Sequence, residues 1–249
     1  MEAAGVAALR GHKVVLWEKG DALGGNVIPA SVPDFKQDYR SLINYLSTQV
    51  KKLGVTIQLN KEATPELVQE MKPEVVFIAT GSTPIIPEIP GVDKGKVVTC
   101  VDLLLGKREA GESVVVVGGG LVGAETALYL AQKGKKVTIV EILDSIARDA
   151  FSGNRMYLLK LLTEANVEML TETNVLEITD EGIIIADKYG KRSIREADTV
   201  VLAVGLKPDR RLLETLEDKL PEIYAIGDCV EPRKVIDAIW EGFRTARLI

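Results

Sequence analysis

VVVVGGGLVGAE, residues Val114–Glu125, decides the fold of this 249-residue chain. Four β-branched residues form a strand-making run, three glycines follow, and an Ala/Leu-rich stretch then reads as a helix to about Lys133. Gly134 ends that helix, and VTIVE (Val137–Glu141) is the next strand. The turn carries the spacing Gly118-x-Gly120-x-x-Gly123. The first glycine permits a tight turn, the second lets backbone approach a pyrophosphate, and the third lets helix and strand pack closely. Leu121 and Val122 open the helix, whose unpaired N–H groups and positive dipole end face the phosphates. Glu141 lies 23 residues after Gly118, at the second strand's end, where a carboxylate accepts bonds from ribose hydroxyls. That carboxylate would repel a 2′-phosphate, and no arginine follows it until Arg148, so NAD(H) is preferred over NADP(H).

The same design occurs twice. AAGVAALRGHKVVLWEK (Ala3–Lys19) aligns with TALYLAQKGKKVTIVEI (Thr126–Ile142), matching Gly11 to Gly134 and Glu18 to Glu141 at an offset of 123. EVVFIATGSTP (Glu74–Pro84) aligns with DTVVLAVGLKP (Asp198–Pro208), so Gly81 answers to Gly205. An amphipathic helix near 38–52 has its counterpart near 155–165, each followed by a strand. Alternating strands and helices with short links predict two doubly wound, Rossmann-like parallel-sheet domains. TPIIPEIPGVDKG, with Pro84, Pro87 and Pro90, reads as an exit from the first copy. EIYAIGD (Glu222–Asp228) and the final helix have no partner in the second copy, so they return to complete the first. The expected boundaries are 1–106 plus 209–249 for the first domain and 107–208 for the second, which is inserted in it.

Hydrophobic residues are 46%, charged residues 27% and aromatics 5%, with a net charge of −5. The Val/Ile/Leu/Ala bias suits buried parallel strands. The acidic balance argues against a nucleic-acid or anionic-membrane surface, and no apolar run approaches 18 residues. No signal peptide is visible, so the expected localisation is cytoplasmic. Cys100 and Cys229 are far apart, with no C-x-x-C pair and no metal-ligand spacing, and they read as buried thiols. His12, the only histidine, sits in a helix-to-strand turn, which leaves no Ser-His or Cys-His nucleophile. No catalytic side chain and no metal ligand is expected.

GHKVVLWEKGDALGG, FIATGSTP, the glycine fingerprint and YAIGDCVEPRKVIDAIWEG together resemble the pyridine nucleotide–disulfide oxidoreductase-like FAD/NAD(P)H family. More narrowly, they resemble the C-terminal half of the old-yellow-enzyme-related multidomain reductases, meaning 2,4-dienoyl-CoA reductase, 2-enoate reductase and trimethylamine dehydrogenase. The resemblance implies that Glu18, with Lys19 beside it, would hold the FAD adenosine ribose. It implies that Ala79-Thr80-Gly81 would pass close to the flavin dinucleotide, and that Gly227-Asp228 would close over its ribityl or pyrophosphate region. Gly24-Gly25-Asn26 is a flexible turn where backbone could pass close to a ligand, and Gly205 is the second copy's counterpart of Gly81. The helix near Pro232 would point its N-terminus at the flavin ring. The family's paired cysteines are absent, which argues against disulfide reduction. The FMN and iron–sulfur cluster of the multidomain reductases belong to a preceding barrel half, expected here as an N-terminal domain of the same or a partner chain.

On the repeat offset, Gly123 maps to position zero and the strand Val114–Val117 maps further upstream. The expectation is therefore a first domain without its first strand and glycine turn, and an FAD site that is incomplete. The functional expectation is an FAD-dependent pyridine nucleotide oxidoreductase module that passes hydride from NADH to FAD and electrons to a partner reductase domain. The alternative is a non-catalytic ADP- or dinucleotide-binding domain of a larger flavoenzyme. A lone NAD-dependent dehydrogenase lacks any candidate proton relay.

Overall fold

The computed structural model describes residues 1–217 and 219–249. Its first elements are α1 (Glu2–Leu9), β1 (Val15–Trp17), α2 (Val27–Ala30), α3 (Gln37–Lys52), β2 (Thr56–Gln58), α4 (Pro65–Met71), β3 (Val76–Ile78) and β4 (Ser82–Pro84). Leu42, Leu46 and Val50 recur at four-residue spacing on α3, and Val50 closes a cluster with Leu23 and Val55. Thr64 caps α4 by accepting the Leu67 N–H, with Pro65 in the first turn.

A second group of elements follows: β5 (Val97–Thr99), α5 (Cys100–Leu104), β6 (Ser113–Val117), α6 (Leu121–Gln132), β7 (Lys136–Val140), α7 (Ser152–Glu164) and β8 (Glu168–Leu170), then β9 (Asn174–Ile178), β10 (Gly182–Ala186), β11 (Arg192–Glu196) and β12 (Thr199–Leu202). The chain finishes with β13 (Leu206–Pro208), α8 (Arg211–Leu216), β14 (Ile223–Ala225) and α9 (Val235–Ala246).

These elements divide into two compact units, Met1–Thr83 with Leu206–Ile249, and Pro84–Gly205. The expected boundaries at 106/107 and 208/209 therefore fall at 83/84 and 205/206. β5 is the reason. It pairs in parallel with β12 (Val97 with Val200, Thr99 with Leu202), so the segment after the prolines is an edge strand of the second unit.

The second unit carries a five-stranded parallel sheet in the order β5-β12-β6-β7-β8, with β6 at its centre. Val114–Val117 of β6 are all buried, each contributing about 2 kcal/mol of apolar burial. β9, β10 and β11 form an antiparallel sheet in the order β11-β10-β9. Its Val175, Ile178, Ile183 and Ile185 pack in one cluster with Val115, Val117, Val140, Val200 and Leu202. The sequence reading did not resolve this meander.

The first unit shares two glycine positions with the second. Gly11 and Gly134 both follow a helix with positive φ, +95° and +83°, before β1 and β7. β3 and β12 run into Gly81 and Gly205, at φ +77° and +111°. Its strands form two separate parallel ladders, β1 with β2 and β14 with β3. Among the described residues no strand in this unit takes the central place that β6 holds in the other. β4 and β13 make a further two-stranded ladder.

Candidate functional site

In the second unit the glycine turn joins β6 to α6 and stands against the ends of β7 and β12. Gly118 has φ +101°, and a Cβ there would lie 2.4 Å from the Ala203 carbonyl oxygen. A Cβ on Gly123 would lie 1.9 Å from the Gly118 oxygen, so the helix meets the turn only because the side chain is missing. Gly120, the N-cap of α6, differs: a Cβ there would meet nothing nearer than Asp149 Oδ1 at 3.7 Å. Two glycines thus serve the packing, and Gly120 keeps an approach to the helix end open. Leu121 is half-buried in the first turn, and Val122 is exposed.

Glu141 follows β7, and its own N–H donates to the Leu170 carbonyl, extending the ladder with β8. Glu141 is only 8% exposed. Oε2 accepts the Gly119 N–H at 2.5 Å, and Oε1 accepts the Leu143 N–H at 2.8 Å. A carboxylate has about four lone-pair positions, so two bonds leave acceptor capacity for ribose hydroxyls. The loop 142–151 folds back over the turn: the Ala147 N–H donates to the Gly119 oxygen at 2.6 Å, with Ala147 at φ +51°. Asp149 Oδ1 accepts the Leu121 N–H at 2.8 Å. Gly119, Leu143, Ala147 and Asp149 were not legible as site residues, because they meet only through this fold-back. Gly205 is exposed at the chain's exit from the unit.

In the first unit Glu18 occupies the matching place. Its N–H donates to the Gln58 carbonyl beside β1, and its Oε1 accepts the Gly20 N–H at 2.7 Å. Glu18 is half-buried, and Lys19 is exposed. Gly24 and Gly25 have φ of +139° and +51°, as a sharp turn requires. Asn26 Nδ2 donates to Ser82 Oγ at 2.9 Å, and Ser82 Oγ donates to Asp228 Oδ2 at 3.0 Å. Asn26 and Asp228 are thus brought together through a serine that the sequence reading passed over.

Thr80 Oγ1 donates to the Asp209 carbonyl at 2.6 Å, bracing the segment that follows β3, while Ala79 is exposed and a Cβ on Gly81 would meet nothing within 4 Å. Arg211 beside Asp209 holds that carboxyl below its ordinary value. The Gly227 N–H donates to Glu241 Oε2 at 2.7 Å. The helix expected near Pro232 begins at Val235, and Asp237 accepts the Lys234 N–H at its start.

Cys100 and Cys229 are both buried free thiols. Burial pushes the Cys100 thiol up to about 11. Among the described residues no group of three or more His, Cys, Asp or Glu could hold a metal, and no helix is long and apolar enough to cross a membrane.

The residues present fit a dinucleotide in the second unit, where the close-packed glycines, the open Gly120 and the strand-end carboxylate stand together. In the first unit Glu18, Asn26, Ser82, Asp228 and the open Gly81 fit part of one. Duplicated parallel-sheet units with strand-end glutamates define a two-nucleotide oxidoreductase fold. The chain belongs to the pyridine nucleotide-disulphide oxidoreductase family, whose model matches residues 1–242. It is 39% identical to a cinnamate reductase of Clostridium sporogenes, over all of this chain and 37% of that protein. An NADH oxidase of Thermoanaerobacter brockii is 40% identical over 99% of this chain and 39% of its own length. Among solved structures, 2-naphthoyl-CoA reductase in complex with 2-naphthoyl-CoA matches with a TM-score of 0.96 and 37% identity, over all of this chain and 38% of that one. The chain spans about two fifths of the length of these relatives.

Proposed function

We propose that this chain is the nucleotide-handling module of a larger reductase, taking hydride from NADH, passing it to FAD, and sending electrons on to a partner domain that carries FMN and an iron–sulfur cluster. The observation that carries the reading is the second unit's intact set of Gly118, Gly120, Gly123 and Glu141, of which Glu141 has its counterpart in Glu18 of the first unit. When bound, the two cofactors supply the redox chemistry, and the protein supplies binding, orientation and electrostatics. Glu141 would accept ribose hydroxyls with its remaining lone pairs, while Glu18, Asn26 and Asp228 would hold the flavin dinucleotide. A family relative named NADH oxidase supports a nicotinamide donor, and the larger relatives support the partner domain.

NADH is the preferred donor in this reading, because the Glu141 carboxylate at the end of β7 would repel a 2′-phosphate. Arg148, the nearest following arginine, lies 3.8 Å from Asp144. Fluorescence titration should give NADH at least tenfold tighter binding than NADPH. Equal affinities would remove the preference. The working compartment in this reading is the cytoplasm.

Anaerobic NADH addition to chain reconstituted with excess FAD tests the main proposal, the expected result being bleaching of the flavin absorbance band. The two separate ladders of the first unit favour a second reading, a non-catalytic ADP- or dinucleotide-binding domain. NADH binding with no bleaching would support that reading instead.

A further inference from the structure

We infer that Asp149 is a built-in competitor for the dinucleotide, a carboxylate seated on the N–H group that a pyrophosphate would use. The inference rests on the proposed nicotinamide site, and it names the residue that limits that site's affinity.

Leu121 is the first residue of α6 beyond its Gly120 cap, and helix-start N–H groups have no partner within their own helix. Here the Leu121 N–H is taken by Asp149 Oδ1 at 2.8 Å. The same carboxylate is the nearest atom to the open side of Gly120. An anion therefore already sits at the place that the glycine turn keeps clear. The loop holds it there: the Ala147 N–H donates to Gly119, Arg155 Nε donates to the Ile146 carbonyl at 2.8 Å, and the Ile146 side chain lies over Gly119.

The duplicated half carries a different residue at the matching loop position. At the offset of 123 that pairs Glu18 with Glu141, Asp149 pairs with Asn26. Asn26 is neutral and turns away to donate to Ser82. At this position the second loop carries a charge that the first does not, and that charge sits on the start of α6. A phosphate approaching α6 must displace the carboxylate from Leu121 or share the dipole with it, and both weaken binding. Asp149 is exposed, so it can move to water when displaced. Asp149→Asn keeps an acceptor for Leu121, removes the charge and installs the residue that the other copy uses.

The test compares the wild-type chain with Asp149→Asn in titrations with NADH, ADP and adenosine. NADH and ADP should bind the variant about three- to tenfold tighter, with adenosine, which lacks phosphate, unchanged. Wild-type binding of NADH with no tightening in the variant, or tightening that extends equally to adenosine, overturns the inference and leaves the nicotinamide site standing. Failure of both proteins to bind NADH overturns the site itself, and the inference with it. A readout independent of the variant's folding is the NMR signal of wild-type Asp149. Its carboxyl carbon and the Leu121 amide should both shift as ADP is added, and resonances that stay fixed while ADP binds would overturn the displacement.

Discussion

Glu18 and Glu141 stand in matching ladder positions, and each accepts the N–H two residues further on. They differ in the other oxygen, which in Glu141 also accepts the Gly119 N–H of the glycine turn. Glu141→Gln replaces a buried acceptor with an amide NH2 facing an N–H, and should cost about 1–3 kcal/mol. Glu18→Gln alters a half-exposed group and should cost less than about 1 kcal/mol. Paired thermal melts check this, and equal losses would contradict the asymmetry. The glycines separate in the same way: Gly123→Ala should disrupt the unit, whereas Gly120→Ala should leave its melting temperature nearly unchanged and weaken NADH binding. Cys100 makes a further test, because its raised thiol value leaves on the order of 10⁻³ thiolate at pH 8, and alkylation of the native protein should be slow. The folded state keeps that proton longer than the unfolded one. This contribution to stability is therefore full below pH 9 and is lost as pH rises towards 11.

At the scale of elements, periodicity carried the reading where strand, turn and helix follow in register. Val114–Val117, Gly118 and Leu121–Gln132 announce themselves because each residue type meets a local steric demand. β5 was missed because Val97–Thr99 is short and follows three prolines, so only its pairing with β12 reveals it as a strand. The β9–β11 meander was missed because its strands gain their meaning from packing against Val115 and Val200 across the unit. Asp149 and Ser82 were illegible for a related reason: a hydroxyl or carboxylate becomes a site residue only once a loop is folded onto its partner. The β5 pairing makes its own prediction. A fragment of residues 84–205 should melt cooperatively, and one of 107–208, stripped of β5 and α5, should melt at a lower temperature or fail to fold. Indistinguishable melts would restore the expected boundary at 106/107.

For the whole molecule, the two units share a design and differ in completeness of their sheets. The five-stranded sheet gives its glycine turn a rigid footing, whereas the two-stranded ladders of the first unit hold Glu18, Asn26 and Asp228 without a central strand. The 249-residue polypeptide should therefore bind FAD weakly, with well under one equivalent after desalting, while the proposed nicotinamide site still binds NADH. A stably yellow, stoichiometric preparation would contradict this. The same ladders set an order of events in time. Two-stranded sheets of three residue pairs open at little cost, so amides of β1, β2, β3 and β14 should exchange with deuterium long before those of β6. A protease added in trace amounts would find the first unit early and leave a resistant remnant close to Pro84–Gly205. Degradation would then remove one unit while sparing the other, and the lifetime of the pair would be that of its looser half.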